Sequence, residues 1–156
     1  MADQDDLTVK RIVVGVDGSS QSKAALRWAV RIASAIGCSI DAITAWEYPA
    51  TYGWMMAPEG WPTEDDSAAS LRGTVDEVFG ENRPPNLRTI CEHGSARTVL
   101  LNASKDAQML IVGSRGHGGF AGLLLGSVSA ACAEHAHCPV LVVHGEPSPS
   151  NKESAL

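Results

Sequence analysis

Hydrophobic positions along the chain follow two spacings, one typical of buried strands and one typical of helices. Residues 11–16 (RIVVGV) are almost continuously apolar, as expected for a central strand that is covered on both faces. The following segment has apolar residues at helical spacing: Ala25, Leu26, Ala29, Val30, Ala33 and Ile36. Ser19 or Ser20 can cap this helix at its start, and Gly37 can end it.

The alternation of strand and helix patterns continues along the chain. Four further segments have the composition of strands: 39–46, 87–92, 108–112 and 139–144. Three segments between them favour helices: about 65–79, 95–104 and 126–135. Strands that alternate with helices are typical of βαβ units, so the pattern predicts an α/β fold with a mostly parallel sheet.

Length and composition indicate one globular domain. A chain of 156 residues with 44% hydrophobic and 19% charged residues is ordinary for such a domain. We expect a single domain over residues 9–145. Residues 1–8 and the polar, Pro- and Ser-rich tail 146–156 are predicted to be flexible termini.

Charge and targeting signals restrict the partners and the location. A net charge of −6 argues against a general nucleic-acid binder, which needs a surplus of Lys and Arg on one face. The first ten residues carry acids and lack the apolar core of a signal peptide. No apolar run approaches the ~20 residues needed to cross a bilayer. We therefore expect a cytoplasmic protein without a nucleic-acid or membrane partner.

The segment with the strongest chemical signal is the glycine-rich stretch between the fourth strand and the last helix. Glycines let backbone amides approach an anion closely, and this stretch contains five of them before the helix: Gly113, Gly116, Gly118, Gly119 and Gly122. The first turn of the helix adds unpaired N–H groups and the positive end of the helix dipole, from Gly126, Ser127, Val128 and Ser129. These features predict an anion site built without lysine. A purely structural connection is the alternative interpretation.

Asp17, at the end of the first strand, is the second candidate. If strands one and four flank the reversal of strand order, Asp17 and Gly113 face each other across one crevice. The carboxylate can accept hydrogen bonds from ribose hydroxyls or help to hold a metal, and a turn or capping role is the alternative. Arg115 is a candidate phosphate contact because its charge is permanent. His117 is either a sensor of charge or pH or simply a solvated residue.

Three strings together resemble the ATP-binding subgroup of the universal stress protein family. They are VGVDGS near the start, CPVLVV near the end, and the spacing G-x2-G-x9-G-[ST] at Gly113, Gly116, Gly126 and Ser127. The resemblance covers about residues 9–145. It implies a Rossmann-like, adenine nucleotide alpha hydrolase-like fold: a five-stranded parallel sheet, order 3-2-1-4-5, with helices on both faces.

The same resemblance implies a ligand and its contacts. Asp17 and Gly113 would meet the ribose and adenine of ATP, with Val16 and Ala45 as further adenine contacts. The phosphates, with Mg²⁺, would be cradled by four residues: Gly116, Gly126, Ser127 and Val128. Family members usually pair through the last strand, which here implies a homodimer through Pro139 to His144. Covering an apolar edge strand in this way also agrees with the need to avoid uncontrolled strand pairing.

Competing motifs are weaker. Residues 116–121 fit the loose dinucleotide pattern G-x-G-x-x-A, but the predicted helix starts only at Gly126 and the next acid, Glu134, lies inside it. No Gly-Lys-[Ser/Thr] is present, which excludes a Walker-type loop. Four residues could suggest zinc: Cys132, His135, His137 and Cys138. They straddle a helix end and a strand start, so we expect no metal site there and reduced core thiols instead.

Five aromatic residues lie in or beside the long segment after the second strand: Trp46, Tyr48, Tyr52, Trp54 and Trp61. They form either a lid over the adenine or a flap packed on the sheet edge or a dimer partner.

Three functions remain open, and the first is preferred. A nucleotide-dependent regulatory protein would act through ATP-linked changes in conformation or dimer state. A slow ATPase or phosphoryl-transfer enzyme would need a positioned base and cations, for which candidates are few. A nucleotide-free interaction module would use the glycine-rich loop only as structure.

Overall fold

The computed structural model describes residues 9–48, 58–116 and 124–145. The predictions for the termini, residues 1–8 and 146–156, lie outside the described residues. The same holds for six residues named above: Tyr52, Trp54, His117, Gly118, Gly119 and Gly122.

Strands and helices alternate through the described part of the chain. The strands are β1 (Arg11–Gly15), β2 (Ser39–Trp46), β3 (Leu87–His93), β4 (Met109–Gly113) and β5 (Val140–Val143). The α-helices are α1 (Ser20–Ile36), α2 (Glu64–Phe79), α3 (Ala96–Ala103) and α4 (Ser127–His135). Short 3-10 turns follow α2 and α3, at Gly80–Asn82 and Ser104–Asp106. Each strand and α-helix starts and ends within one residue of its predicted bounds.

The five strands form one parallel sheet in the order β3-β2-β1-β4-β5. The predicted α/β class and the order 3-2-1-4-5 are therefore confirmed. β1 is the central strand, and Ile12, Val13 and Val14 are completely buried in it. Because the chain runs from β1 to β2 on one side and returns to β4 on the other, the strand order reverses at β1. The carboxyl ends of β1 and β4 open a crevice at this point.

Two hydrophobic layers cover the sheet, because successive side chains of a strand point to opposite faces. Ile12 and Val14 of β1 belong to the layer that includes Leu26 of α1 and Val75 of α2. The other layer contains Val13 together with six buried residues: Ile43, Val99, Leu100, Leu110, Val112 and Cys132. Helices α1 and α2 therefore cover one face, and α3 and α4 cover the other.

A buried carboxylate ties three strands together. Asp41 of β2 is completely buried, and it accepts hydrogen bonds from Arg11 of β1 at 3.0 Å and from Arg88 of β3 at 2.9 Å. The guanidinium of Arg11 also donates to the carbonyl of Ala103 at the end of α3. Hydrogen-bonded pairing of this kind is what makes a buried charge tolerable. The network holds β1, β2, β3 and α3 together near the amino ends of these strands, at the opposite end of the sheet from the crevice.

The start of α1 resolves one alternative that the sequence left open, and its end agrees with the prediction. Ser19, not Ser20, is the N-cap, and its hydroxyl oxygen accepts the N–H of Ser22 at 3.2 Å. Gly37 ends the helix as predicted, with a φ of 71° in the left-handed region that glycine favours. Among the helices of the described residues, none has the length and apolarity that a bilayer crossing requires.

Candidate functional site

A cavity of about 490 Å³ opens at the carboxyl ends of β1, β2 and β4. Val16 and Asp17 directly follow β1, Ala45 belongs to β2, and Gly113 ends β4. The start of α4 forms another part of the wall. The cavity therefore lies at the reversal of strand order, where open α/β sheets bind their ligands.

The cavity brings together all ten residues that the sequence suggested as ligand contacts: Val16, Asp17, Ala45, Gly113, Arg115, Gly116, Gly126, Ser127, Val128 and Ser129. Their contacts with a ligand stay predictions. The apolar wall residues that were not predicted include Ile43, Leu100 and Val112. Strand periodicity could have identified Ile43, because it lies two residues before Ala45 and shares its face of β2.

Asp17 links the end of β1 to the glycine-rich loop. Its Oδ1 accepts the backbone N–H of Ser19 at 2.9 Å, which is the turn role left open above. Its Oδ2 lies so close to Gly116 that a Cβ at this glycine would overlap it. The carboxylate therefore faces the loop, and Gly116 lacks a side chain where the two segments meet.

Gly113 has a packing role. A Cβ at this position would lie 2.7 Å from the Cβ and 2.9 Å from the backbone carbon of Gln21, in the first turn of α1. Such distances are too short for real carbon atoms, so the approach of α1 to β4 requires glycine here. The presence of Gly113 is thus explained without a ligand.

Gly126 differs from Gly113 because the fold does not require a glycine there. A Cβ on Gly126 would meet its nearest atoms at 3.6 Å, which is ordinary van der Waals contact. Its φ of −71° and ψ of 168° are accessible to every residue that caps a helix. Neither packing nor backbone strain therefore explains why the N-cap position of α4 has no side chain.

The N-terminus of α4 is uncapped. In α1, α2 and α3, the hydroxyls of Ser19, Thr63 and Ser95 accept the N–H of the third helical residue. Of the four α-helices in the described part of the chain, α4 alone starts without such a side-chain bond. The first N–H groups of a helix have no intrahelical acceptor, so this end offers donors to the cavity.

One expected donor at α4 is already bonded, and the hydroxyl of Ser129 is bonded to the same acceptor. The N–H of Gly126 is not unpaired as predicted, because it donates to the carbonyl of Ser114 at 2.7 Å. The hydroxyl of Ser129 is buried and lies 2.7 Å from the same carbonyl oxygen, so it is turned away from a ligand. Within the described part of the chain, no side chain accepts the N–H groups of Ser127, Val128 and Ser129, and Ser127 itself is exposed.

The wall carries little formal charge. Among the described wall residues, Asp17 and Arg115 are the charged ones, and both are exposed. The positive end of the α4 dipole, equivalent to roughly half an elementary charge, adds to Arg115. An anion next to α4 is therefore favoured, while a group that donates hydrogen bonds suits Asp17.

The cysteine and histidine cluster near α4 does not converge. Cys132 is completely buried, whereas His135 and His137 are exposed. Burial raises the pKa of the Cys132 thiol to about 11, and burial also raises the pKa of Cys138. Among the described residues, no group of three His, Cys, Asp or Glu side chains is arranged to hold a metal ion.

The described aromatic residues after β2 pack at the edge of the sheet. Trp46 makes edge-to-face contacts with Tyr48 and with His93 of β3, at centroid distances of 5.5 and 4.7 Å. The indole N–H of Trp61 donates to the carbonyl of Glu47 at 3.1 Å. None of these described residues lines the cavity. Their geometry matches the interpretation of a flap on the sheet edge.

Known proteins similar to this chain share one family. Residues 8–144 match the model of the universal stress protein family. A universal stress protein of Mycolicibacterium smegmatis is 34% identical over 142 residues, which cover 86% of this chain and 48% of the relative. The chain thus spans about half the length of the curated relatives it matches.

Solved structures give the same result for the fold. A universal stress protein solved in complex with cAMP is 28% identical, with a TM-score of 0.64, and the match covers 87% of this chain and 97% of that one. The universal stress protein of Archaeoglobus fulgidus solved in complex with dAMP is 16% identical, with a TM-score of 0.62 and coverage of 86% and 97%. On this sequence match and fold, the chain belongs to the universal stress protein family.

Proposed function

We propose that this chain is a regulatory protein that binds an adenine nucleotide, ATP with Mg²⁺, in the cavity at the carboxyl edge of the sheet. The observation that carries the proposal is the uncapped start of α4 on the cavity wall. Backbone N–H groups and the positive end of a helix dipole favour a phosphate at such a position. The cAMP complex of a 28% identical family member supports a nucleotide as the ligand.

The phosphates would be held by the start of α4 and the residues before it. Ser127, Val128 and Ser129 supply backbone N–H groups, and the Ser127 hydroxyl adds a donor. Arg115 supplies a permanent positive charge on the same wall. This set of donors accounts for how a chain of net charge −6 can bind a polyphosphate.

The base and the sugar would occupy the part of the cavity beside β1 and β2. Val16, Ile43 and Ala45 give this part apolar walls, which suit the faces of adenine. Asp17 would accept hydrogen bonds from ribose hydroxyls. The oxygen atoms of Asp17 and Ser127 are of the kind that Mg²⁺ prefers, and bound Mg²⁺ would neutralise phosphate charge.

Binding and regulation fit the wall better than efficient catalysis. Phosphoryl transfer needs a positioned base and several cations around the transferred group. Among the described wall residues, Arg115 is the one permanent cation, and the Oδ1 of Asp17 already accepts the Ser19 N–H. We therefore assign ATP the role of a regulatory ligand, with slow hydrolysis as the alternative.

The proposal includes a homodimer through Pro139 to His144 and a cytoplasmic location. In the described part of the chain, β5 pairs with β4 alone and lies at one end of the sheet. Its Val140, Leu141 and Val142 are only half-buried, so a second copy would cover apolar surface. Light scattering should give twice the mass of one chain, and cell fractionation should find the protein in the soluble cytoplasmic fraction. A monomeric mass at micromolar concentration would contradict the dimer.

The ligand can be identified directly. Protein purified under native conditions should release an adenine nucleotide on acid denaturation, measured by liquid chromatography and mass spectrometry. Calorimetry with the stripped protein should then show binding of ATP with Mg²⁺. If neither is seen, the glycine-rich loop is structural and the chain is an interaction module. A turnover near the ~1–100 s⁻¹ of kinases would instead establish an enzyme.

A substitution at Gly126 tests the place of binding. Gly126→Val should abolish ATP binding, because a branched side chain would stand where the phosphate approaches the start of α4. The protein should still fold, since a Cβ at this position meets only ordinary contacts. Gly73→Ala, on α2 with no atom within 4 Å of the added Cβ, is the matched control and should bind as the wild type does. Unchanged affinity in a folded Gly126→Val protein would contradict the assignment.

A further inference from the structure

Ser114, the residue after β4, is a junction of three elements. Its N–H donates to the carbonyl of Val143 in β5 at 2.8 Å. Its carbonyl accepts the N–H of Gly126 at 2.7 Å and faces the hydroxyl of Ser129 at 2.7 Å. Ser114 and Ser129 are both almost completely buried, so these bonds form away from water. One peptide therefore fixes the end of β4, the end of β5 and the start of α4.

The junction joins the two ends of the glycine-rich loop. Ser114 precedes the loop and Gly126 follows it, so their hydrogen bond closes the segment at its base. The Ser129 hydroxyl also lies 3.1 Å from the carbonyl of Gly126, and it bridges both ends from within the first turn of α4. Closure of a loop reduces the conformations that remain to be ordered when a ligand binds.

From these contacts we propose that Ser129 is a positioning residue for the nucleotide phosphates. Its buried hydroxyl acts as a clamp that holds Ser114 and Gly126 together and so sets the place of the α4 N–H groups in the cavity. Its side chain makes no ligand contact in this arrangement. The inference rests on the proposed function, because it specifies how the same site is prepared for its ligand.

A hydroxyl at the equivalent place in α1 shows what distinguishes the clamp. Ser22 is also the third residue of its helix, is also buried, and its hydroxyl donates to the carbonyl of the N-cap Ser19 at 3.0 Å. That bond stays within the first turn of α1. The Ser129 hydroxyl reaches beyond its own helix to a residue fifteen positions earlier. A long-range bond of this kind fixes the start of α4 against the end of β4, and not only the first turn of the helix itself.

The test compares Ser129→Ala with Ser129→Thr. Loss of the hydroxyl should lower the affinity for ATP with Mg²⁺ by about tenfold, in line with one net hydrogen bond. Threonine supplies the hydroxyl again and should restore much of the affinity. The control is Ser104→Ala, since the fully buried Ser104 also donates to a carbonyl, that of Leu101, but lies away from the cavity. Ser104→Ala should lower the unfolding temperature and leave the affinity unchanged.

Hydrogen exchange separates failure of the clamp from failure of the function. In nucleotide-free protein, Ser129→Ala should speed exchange of the Gly126 amide by about tenfold and leave the amides of β1 unchanged. Wild-type affinity in Ser129→Ala, or unchanged Gly126 exchange, would overturn the clamp. Faster Gly126 exchange in a chain whose wild type binds no nucleotide would overturn the proposed function and leave the clamp standing.

Discussion

The N-termini of α1 and α4 meet the same cavity, but they treat their backbone donors in opposite ways. At α1, Ser19 caps the helix by accepting the N–H of Ser22, and Asp17 accepts the N–H of Ser19. At α4, the N-cap is Gly126, and no side chain of the described residues accepts an N–H of the first turn. Both ends line one wall, so burial alone does not explain the difference.

The difference shows which part of the wall is built for stability and which part is left for a ligand. At the start of α1, the polar groups form hydrogen bonds with one another and stabilise the fold. The α4 end already has the extended backbone of an N-cap, and the fold would accept a side chain there. A missing cap at such a position gives up a small stabilisation of the empty protein. A bound phosphate would supply the missing acceptor.

Among changes to the helix caps, the largest expected effect comes from giving α4 a charged cap. In Gly126→Asp, the carboxylate would accept N–H groups of the first turn and would repel a phosphate. The affinity for ATP should fall by roughly 100-fold, as for the loss of a charge-assisted hydrogen bond. The empty protein should become more stable by about 0.5 kcal/mol. Calorimetry and urea unfolding measure the two changes. A loss of stability together with normal affinity would show that α4 is not the anion site.

Removing the cap of α1 should destabilise the empty protein instead. Ser19→Ala takes away the acceptor of the Ser22 N–H, and we expect the free energy of unfolding to fall by about 1 kcal/mol. Urea unfolding of the nucleotide-free protein measures it. An unchanged unfolding free energy would mean that the Ser19 bond contributes nothing to the fold.

Removing the cap of α2, whose N-cap residue does not line the cavity, should lower the free energy of unfolding by a still smaller amount. Thr63→Ala removes the hydroxyl that accepts the N–H of Asp66 at the exposed start of α2. The free energy of unfolding should fall by about 0.5 kcal/mol, the lower part of the range for caps. The affinity for ATP should stay within error of the wild-type value, because Thr63 does not line the cavity. A clear loss of affinity would weaken the contrast between α1 and α4.

The smallest effect is a pH dependence of the α2 cap. Hydrogen bonds from the backbone N–H and hydroxyl of Thr63 lower the pKa of Asp66 below its ordinary value of 3.8. A lowered pKa in the folded state stabilises the fold above the unfolded value, and this contribution is lost as the pH falls from 3.8 through the folded pKa. Wild type should therefore lose slightly more stability than Thr63→Ala over this acid range. Parallel unfolding curves for the two proteins would contradict it.

Much of the fold was visible in the sequence. The bounds of β2 were predicted without error, because Ser39 and Trp46 enclose a mainly apolar run that follows a clear helix stop at Gly37. The strand order was implied by the family resemblance and not by the residues, since strand patterns alone do not say which strands are neighbours. The choice between Ser19 and Ser20 as the N-cap needed the structure, because two adjacent serines have the same capping preference in the sequence.

The candidate site was predictable as a set of residues but not in its internal bonding. The sequence grouped Gly113 and Gly126 as equal parts of one motif, whereas Gly113 makes room for Gln21 and Gly126 leaves a helix uncapped. Ser129 was expected among the ligand contacts, yet its hydroxyl is buried against Ser114. Contacts between segments far apart in the chain decide these roles, and local patterns carry no information about them.

The most direct measurement is a titration of nucleotide-free protein with ATP and Mg²⁺, followed by the backbone amide signals in NMR spectra. The N–H signals of Ser127, Val128 and Ser129 should shift strongly and become protected from exchange, because they gain a phosphate acceptor. The signal of Ser22 should change much less, because its N–H is already bonded to Ser19. Binding of ATP without a change at the three α4 amides would contradict the central claim that α4 is left uncapped for the nucleotide.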